Sequence, residues 1–151
     1  KIVHHGTYNA NPISATAGIT TLEIVAETDA CQTATDYAAH LRHELSRVIR
    51  DEGLDWSVYG TFSGFHIYTN KEHETVTTAE LEGGRFDYRK IKAASKSPMV
   101  TKLRVGLLVH GVDLFAWPGG ITSAVHHSDD LEHTVRAFQQ TIRMLKREGE
   151  L

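Results

Sequence analysis

The residues of this 151-residue chain whose types and spacing best suit chemistry are Gly6 and Thr7, in the run His5-Gly6-Thr7-Tyr8-Asn9-Ala10-Asn11-Pro12. Gly6 permits close backbone approach, and Thr7 offers a hydroxyl. Asn11 and Pro12 then launch a helix, as N-cap and first helical residue. A glycine, a hydroxyl and backbone N–H groups beside a helix start suit an anion, a phosphate above all. The same residues equally make a sound helix start with no ligand. The pattern alone leaves both readings open.

Other candidate chemistry is sparse. The ten histidines include the pairs His4/His5, His40/His43 and His126/His127, but none comes with a Cys, Asp or Glu at a ligand spacing. No metal site is therefore expected. Cys31 is the single cysteine, which excludes an internal disulfide, fits a reducing compartment and reads as structural. A net charge of −3 gives no reason to expect nucleic acid or an anionic membrane as partner. No apolar run reaches the length of a membrane span, and no charged-then-apolar leader opens the chain. Lys1-Ile2-Val3 reads as interior sequence, so the expectation is a protein that extends upstream.

The elements that must position these residues follow from periodicity. A first helix is expected over 12–25, with Ile13, Ala17, Ile19, Leu22 and Val25 available for burial. Its small residues, Ser14, Ala15, Ala17 and Gly18, allow close packing. A second helix starts near Thr33 or Thr35 and ends at Gly53, a natural residue beyond a helix end. Its face is Tyr37, Leu41, Leu45 and Val48. The aromatic and β-branched stretch 57–69 forms one bent strand or two short ones, with His66 on the opposite face from Phe65 and Ile67. Residues 70–97 are charged and polar and read as a long surface excursion with a short helix near 88–94, a lid or an interface segment.

Ser97-Pro98 starts a third helix whose buried side is Val100, Leu103, Leu107 and Leu108. Residues 114–117 and 121–125 read as strands around a Pro118-Gly119-Gly120 turn. Ser128 caps the last helix, with Asp129, Asp130 and Glu132 near its positive end and an apolar seam of Leu131, Val135, Phe138, Ile142 and Leu145. Hydrophobic content of 40% is ordinary for a globular chain with a real core. The order of elements predicts an α+β fold, a small, mainly antiparallel sheet covered by helices.

The run Gly6-Thr7-Tyr8-Asn9-Ala10-Asn11-Pro12 resembles the Gly-Thr-aromatic-small-small-Asn-Pro signature of class III pyridoxal-phosphate-dependent aminotransferases, fold-type-I enzymes that include glutamate-1-semialdehyde aminomutase. Ala17-Gly18-Ile19-Thr20-Thr21-Leu22-Glu23 is similar to the family's next helix. Gly111-Val112-Asp113-Leu114 and Thr122-Ser123-Ala124-Val125-His126 resemble later segments, in the family's order. The resemblance implies the end of the cofactor domain and an interdomain helix at 1–30, and the C-terminal small domain at 31–151. It implies pyridoxal 5′-phosphate as cofactor, an amino acid or amine and a carbonyl compound as substrates, a homodimer and a cytoplasmic protein.

In the family, the lysine that bonds the cofactor and the aspartate that pairs with its ring nitrogen lie upstream of the Gly-Thr motif. None of this chain's lysines sits in a matching context, so no catalytic residue carries over and the chain alone is expected to be inactive. Gly6 and Thr7 do carry over, as cofactor-binding residues that reach the phosphate held by the neighbouring subunit. In the aminomutases a glutamate lies near the cofactor where Pro118 stands here, a departure that favours a transaminase over the mutase. No arginine lies near Pro118 in sequence to take a substrate carboxylate. Trp117 either lines the substrate mouth or packs in a core or interface. A non-catalytic domain serving folding or dimerisation remains the rival from another class.

Overall fold

The computed structural model describes Gly6 and residues 11–151. Helix α1 (Pro12–Glu27) begins as its sequence requires, with Asn11 Oδ1 accepting the N–H groups of Ile13 at 2.9 Å and Ser14 at 3.2 Å. None of its residues is buried; Ile13 is 81% and Leu22 69% exposed. The expectation that this apolar set is buried is not met within the described residues. Its apolar side chains lie all round the helix rather than in one stripe, a pattern that suits a helix covered on several sides. Helix α2 (Ala30–Asp51) starts earlier than Thr33, because Asp29 takes the N-cap position right after the Thr28 bend. It buries Ala34, Ala38, Leu41, Leu45, Val48 and Ile49, a true single stripe.

Strands β1 (Ser57–Tyr59) and β2 (Gly64–Tyr68) resolve the 57–69 stretch into two short strands, paired antiparallel with Tyr59 opposite His66. Helices α3 (Thr78–Glu82) and α4 (Tyr88–Ala94) follow, then α5 (Pro98–Val109), strand β3 (Gly119–Ile121) and α6 (Ser128–Arg147). β3 pairs antiparallel with β2, so β2 is central in a three-stranded sheet. The strands expected at 114–117 and 121–125 are replaced by this single one, which passes through the glycines expected to turn. Gly119 allows it: a Cβ there would stand 2.2 Å from Phe65 O, across the strand pair.

The sheet has a helical layer on each face. Val58, Phe65 and Ile67 face a core shared with Leu41 and Leu45 of α2, Leu103 and Leu107 of α5, and Phe138 and Ile142 of α6. Tyr68, on the other face by the period of two, packs with Leu81 of α3 and Ala94 of α4. The 70–97 excursion is thus a second covering layer over Tyr68. Leu108, expected on the buried side of α5, is 58% exposed, and Gly106 takes its place inside. The α+β architecture with a small antiparallel sheet is the one the periodicity predicts.

Two contacts hold α6. Glu52, just past α2, accepts Arg143 Nε at 2.7 Å and Lys146 Nζ at 3.2 Å. The hydrogen bond from Arg143, reinforced by Lys146, holds its carboxyl below the usual carboxylate range against the opposing pull of burial. The second contact is steric: a Cβ on Gly106 of α5 would lie 2.5 Å from Thr141 Cγ2 and 3.0 Å from Met144 Cε of α6. Gly106→Ala is therefore expected to overpack this crossing. A loss of about 1–3 kcal/mol in urea unfolding is predicted, and a variant as stable as the parent chain would contradict so tight an approach.

Candidate functional site

Gly6 is exposed and lies outside regular structure, and Thr7 lies outside the described residues. What the structure does settle is the helix start beside them. Pro12 has no N–H, Asn11 Oδ1 takes those of Ile13 and Ser14, and Asn11 O takes that of Ala15 at 3.0 Å. Pro12, Ile13 and Ser14 therefore offer an anion no free N–H.

The second candidate region is the segment from Trp117 to His126. Pro118 is buried, and its carbonyl accepts Ile67 N–H at 2.7 Å, which extends the β2–β3 pairing by one bond. Trp117 stacks on His66 with ring centroids 4.6 Å apart, and His66 stacks on Tyr59 at 5.0 Å. Phe115 leans on the other end of this ladder at 5.2 Å from Trp117. His66 does lie on the face opposite Phe65 and Ile67, but it is sandwiched between rings rather than open to solvent. The signal was present in the alternation, since the antiparallel register sets Tyr59 directly opposite His66.

Thr122 and His126 fix the far end of the segment. Thr122 Oγ1 lies 2.8 Å from Ala34 O and 3.1 Å from Ser63 O, tying the loop to α2 and to the β1–β2 connection. His126 Nδ1 accepts Ser123 N–H at 3.0 Å, so the neutral ring carries its proton on Nε2. Its ring lies 5.3 Å from that of Tyr37, whose hydroxyl is held above its ordinary pKa by burial and by the charge of Asp130. Tyr37 and His126 border a cleft of about 290 Å³ that reaches Phe65 and Gly119–Thr122. Arg42, distant in sequence, arrives beside this region, but its Nη1 donates to Gly64 O at 2.7 Å and Phe62 O at 3.1 Å. It serves the turn rather than a substrate carboxylate.

Among the described residues no three His, Cys, Asp or Glu side chains converge on a point that could hold a metal ion. Nor do the described lysines offer a nucleophile. Lys90 pairs with Glu74 and Glu72, and the hydrogen bond it donates to Glu74 raises its pKa. Lys102 pairs with Glu150 and Lys146 with Glu52, while Lys71, Lys92 and Lys96 are exposed. No helix of the described residues is long and apolar enough to cross a membrane.

No family model matches the chain. Over 96% of its length it is 29% identical to the glutamate-1-semialdehyde 2,1-aminomutase of Methanopyrus kandleri, of which it covers 31%. At 30% identity it also resembles the aminomutase of Pyrobaculum arsenaticum, over 97% of this chain and 32% of that protein. It spans about a third of the length of the curated relatives it matches. Among solved structures, an omega-transaminase from Sphaerobacter thermophilus superposes with a TM-score of 0.72 at 21% identity, over 94% of this chain and 30% of that one. A structure described as a transaminase with PLP bound gives the same TM-score at 24% identity, over 99% and 31% of the two chains. These likenesses show the fold.

The aromatic ladder generates a pH prediction. Burial holds the His66 imidazole below its ordinary value of 6.5. Unfolded chains therefore take up a proton first as the pH falls. The stability that neutral His66 contributes is present above pH 6.5 and is lost as the pH falls through its folded-state pKa. Thermal melting between pH 7.5 and about pH 5 is expected to fall less steeply for His66→Gln than for the parent. Parallel curves would rule out a buried neutral His66.

Proposed function

We propose that the chain is the C-terminal part of a pyridoxal-phosphate-dependent class III aminotransferase. The observation that supports this most is the likeness of 96% of the chain to an aminomutase, joined to the fold of a transaminase that carries the cofactor. On this reading residues 1–30 end the cofactor domain and form an interdomain helix, and residues 31–151 are the small domain. Helix α1 supports the division, because an uncovered helix that is apolar all round calls for a second body against it.

The described residues do not build a cofactor site by themselves. The first turn of α1 is saturated, and the described lysines are ion-paired or exposed. The cofactor is then held mainly by the rest of the protein, and Gly6 and Thr7 donate to a phosphate bound in the partner subunit of a homodimer. A hydroxyl and backbone N–H groups suffice for that contact without net positive charge. The whole protein, on this reading cytoplasmic, moves an amino group between an amino acid or amine and a carbonyl compound.

A second reading, glutamate-1-semialdehyde aminomutase, has the names of the curated relatives in its favour. Against it stands Pro118, buried and carrying no acid, which the family resemblance places nearest to the glutamate of the aminomutases. Half-transamination by the protein that contains this chain, with and without an added keto acid, separates the readings. Strict dependence on the second carbonyl compound is expected. Turnover without it would favour the mutase, and no transfer in either arm would favour a domain for folding or dimerisation only.

A second test uses the 151-residue chain alone, mixed with pyridoxal phosphate and reduced with borohydride. Cationic, ion-paired lysines are poor nucleophiles, so only scattered substoichiometric labelling is expected. One lysine labelled to completion would contradict the assignment of the cofactor's lysine to another part of the protein.

A further inference from the structure

A groove of about 630 Å³ opens between the end of α2, the turn after β2 and the start of α5, and among the described residues it shares none with the Trp117–His126 segment. Leu54, Trp56 and Met99 form an apolar wall. Thr69 and Ser97 also line the groove, only 5% and 7% exposed, and the hydroxyl oxygens of both lack any hydrogen-bond partner. Buried hydroxyls are normally satisfied, so two orphans lining one groove need an explanation.

Ser97 adds a second oddity. It is the N-cap of the 12-residue α5, yet its side chain makes no bond to the first turn; Pro98 has no N–H and Val100 N–H goes to Ser97 O at 3.0 Å, which leaves Met99 N–H without an acceptor. The acids on the rim are already engaged, Asp55 with His73 Nδ1 at 2.6 Å and Glu150 with Lys102. Lys71 stands exposed on the same rim. Two unpartnered hydroxyls, Met99 N–H and the Lys71 cation thus border one apolar groove, and what is missing is an acceptor. A hydroxyl turns about its Cα–Cβ bond between staggered positions, so a bound acceptor can recruit both orphans.

We propose that this groove binds a small amphipathic carboxylate, its apolar body on Leu54, Trp56 and Met99 and its charged end accepting from Ser97, Thr69 and the start of α5. A volume of this size suits such a ligand. The carboxylate satisfies the orphaned hydroxyls and lies at the positive end of the helix, with Lys71 as its outer counter-charge.

Octanoate is the probe, titrated into the chain by calorimetry and by the backbone amide resonances of Met99 and Val100, with 1-octanol as neutral control. Saturable octanoate binding that shifts those resonances is expected, with octanol binding at least fivefold more weakly. Ser97→Ala is expected to weaken octanoate binding about tenfold or more, the loss of one hydrogen bond to a charged group. Lys71→Gln, at an exposed position where folding is not at stake, is expected to weaken it about threefold. No saturation, equal binding of octanol, or two variants that bind octanoate like the parent would each overturn the proposal.

Discussion

The structure depends on one piece of packing, the apolar seam of α6 held between α2 and α5. Leu131, Phe138, Ile142 and Leu145 are buried there, with Thr141 pressed against Gly106. Each large side chain fully removed from water contributes roughly 1.5–3 kcal/mol, so these residues dominate what stabilises the domain. Because interiors pack at crystal-like density, the crossing at Gly106 also fixes where α5 lies. The sheet then rests on the surface these three helices make, through Val58, Phe65 and Ile67. Glu52 adds a polar clamp at the end of α2, but exposed partners limit its worth to about 1 kcal/mol.

The far face of the sheet carries an aromatic ladder. Tyr59, His66 and Trp117 stack there, and the chain from Trp117 to His126 is pinned at both ends, by the Pro118 carbonyl and by Thr122. A segment of that length without a long strand is held by a few specific bonds rather than by a ladder. Its backbone is positioned by the sheet, its Gly119–Thr122 stretch borders the cleft at Tyr37 and His126, and Trp117 is left partly open on the other side. Helix α1 is the opposite case, well capped at its start and packed on nothing that buries it.

Much of this was legible in the sequence wherever the signal is local. The α6 seam, the 88–94 helix and the Ser97-Pro98 helix start all follow from periodicity and capping chemistry that neighbouring residues decide. β3 was not legible, because Gly119 and Gly120 carry turn chemistry and become a strand only through pairing with β2, more than fifty residues back. Leu108 was misplaced for a related reason: α5 is apolar on several faces, and the choice of the inner one belongs to Gly106 and its partner helix. At the site, the Gly6-Thr7 motif was visible as a motif. That Asn11 would use up the donors of the first turn depends on a side-chain rotamer, which composition does not reveal.

The central claim is that Gly6 and Thr7 serve a cofactor phosphate that the rest of the protein binds. The most direct measurement is the dissociation constant for pyridoxal phosphate of the whole protein, compared between the parent and Thr7→Val by equilibrium dialysis. A hydrogen bond to a charged group contributes about 1.5–3 kcal/mol, so the account predicts cofactor binding at least tenfold weaker with the fold intact. Unchanged affinity in a folded Thr7→Val protein would contradict it.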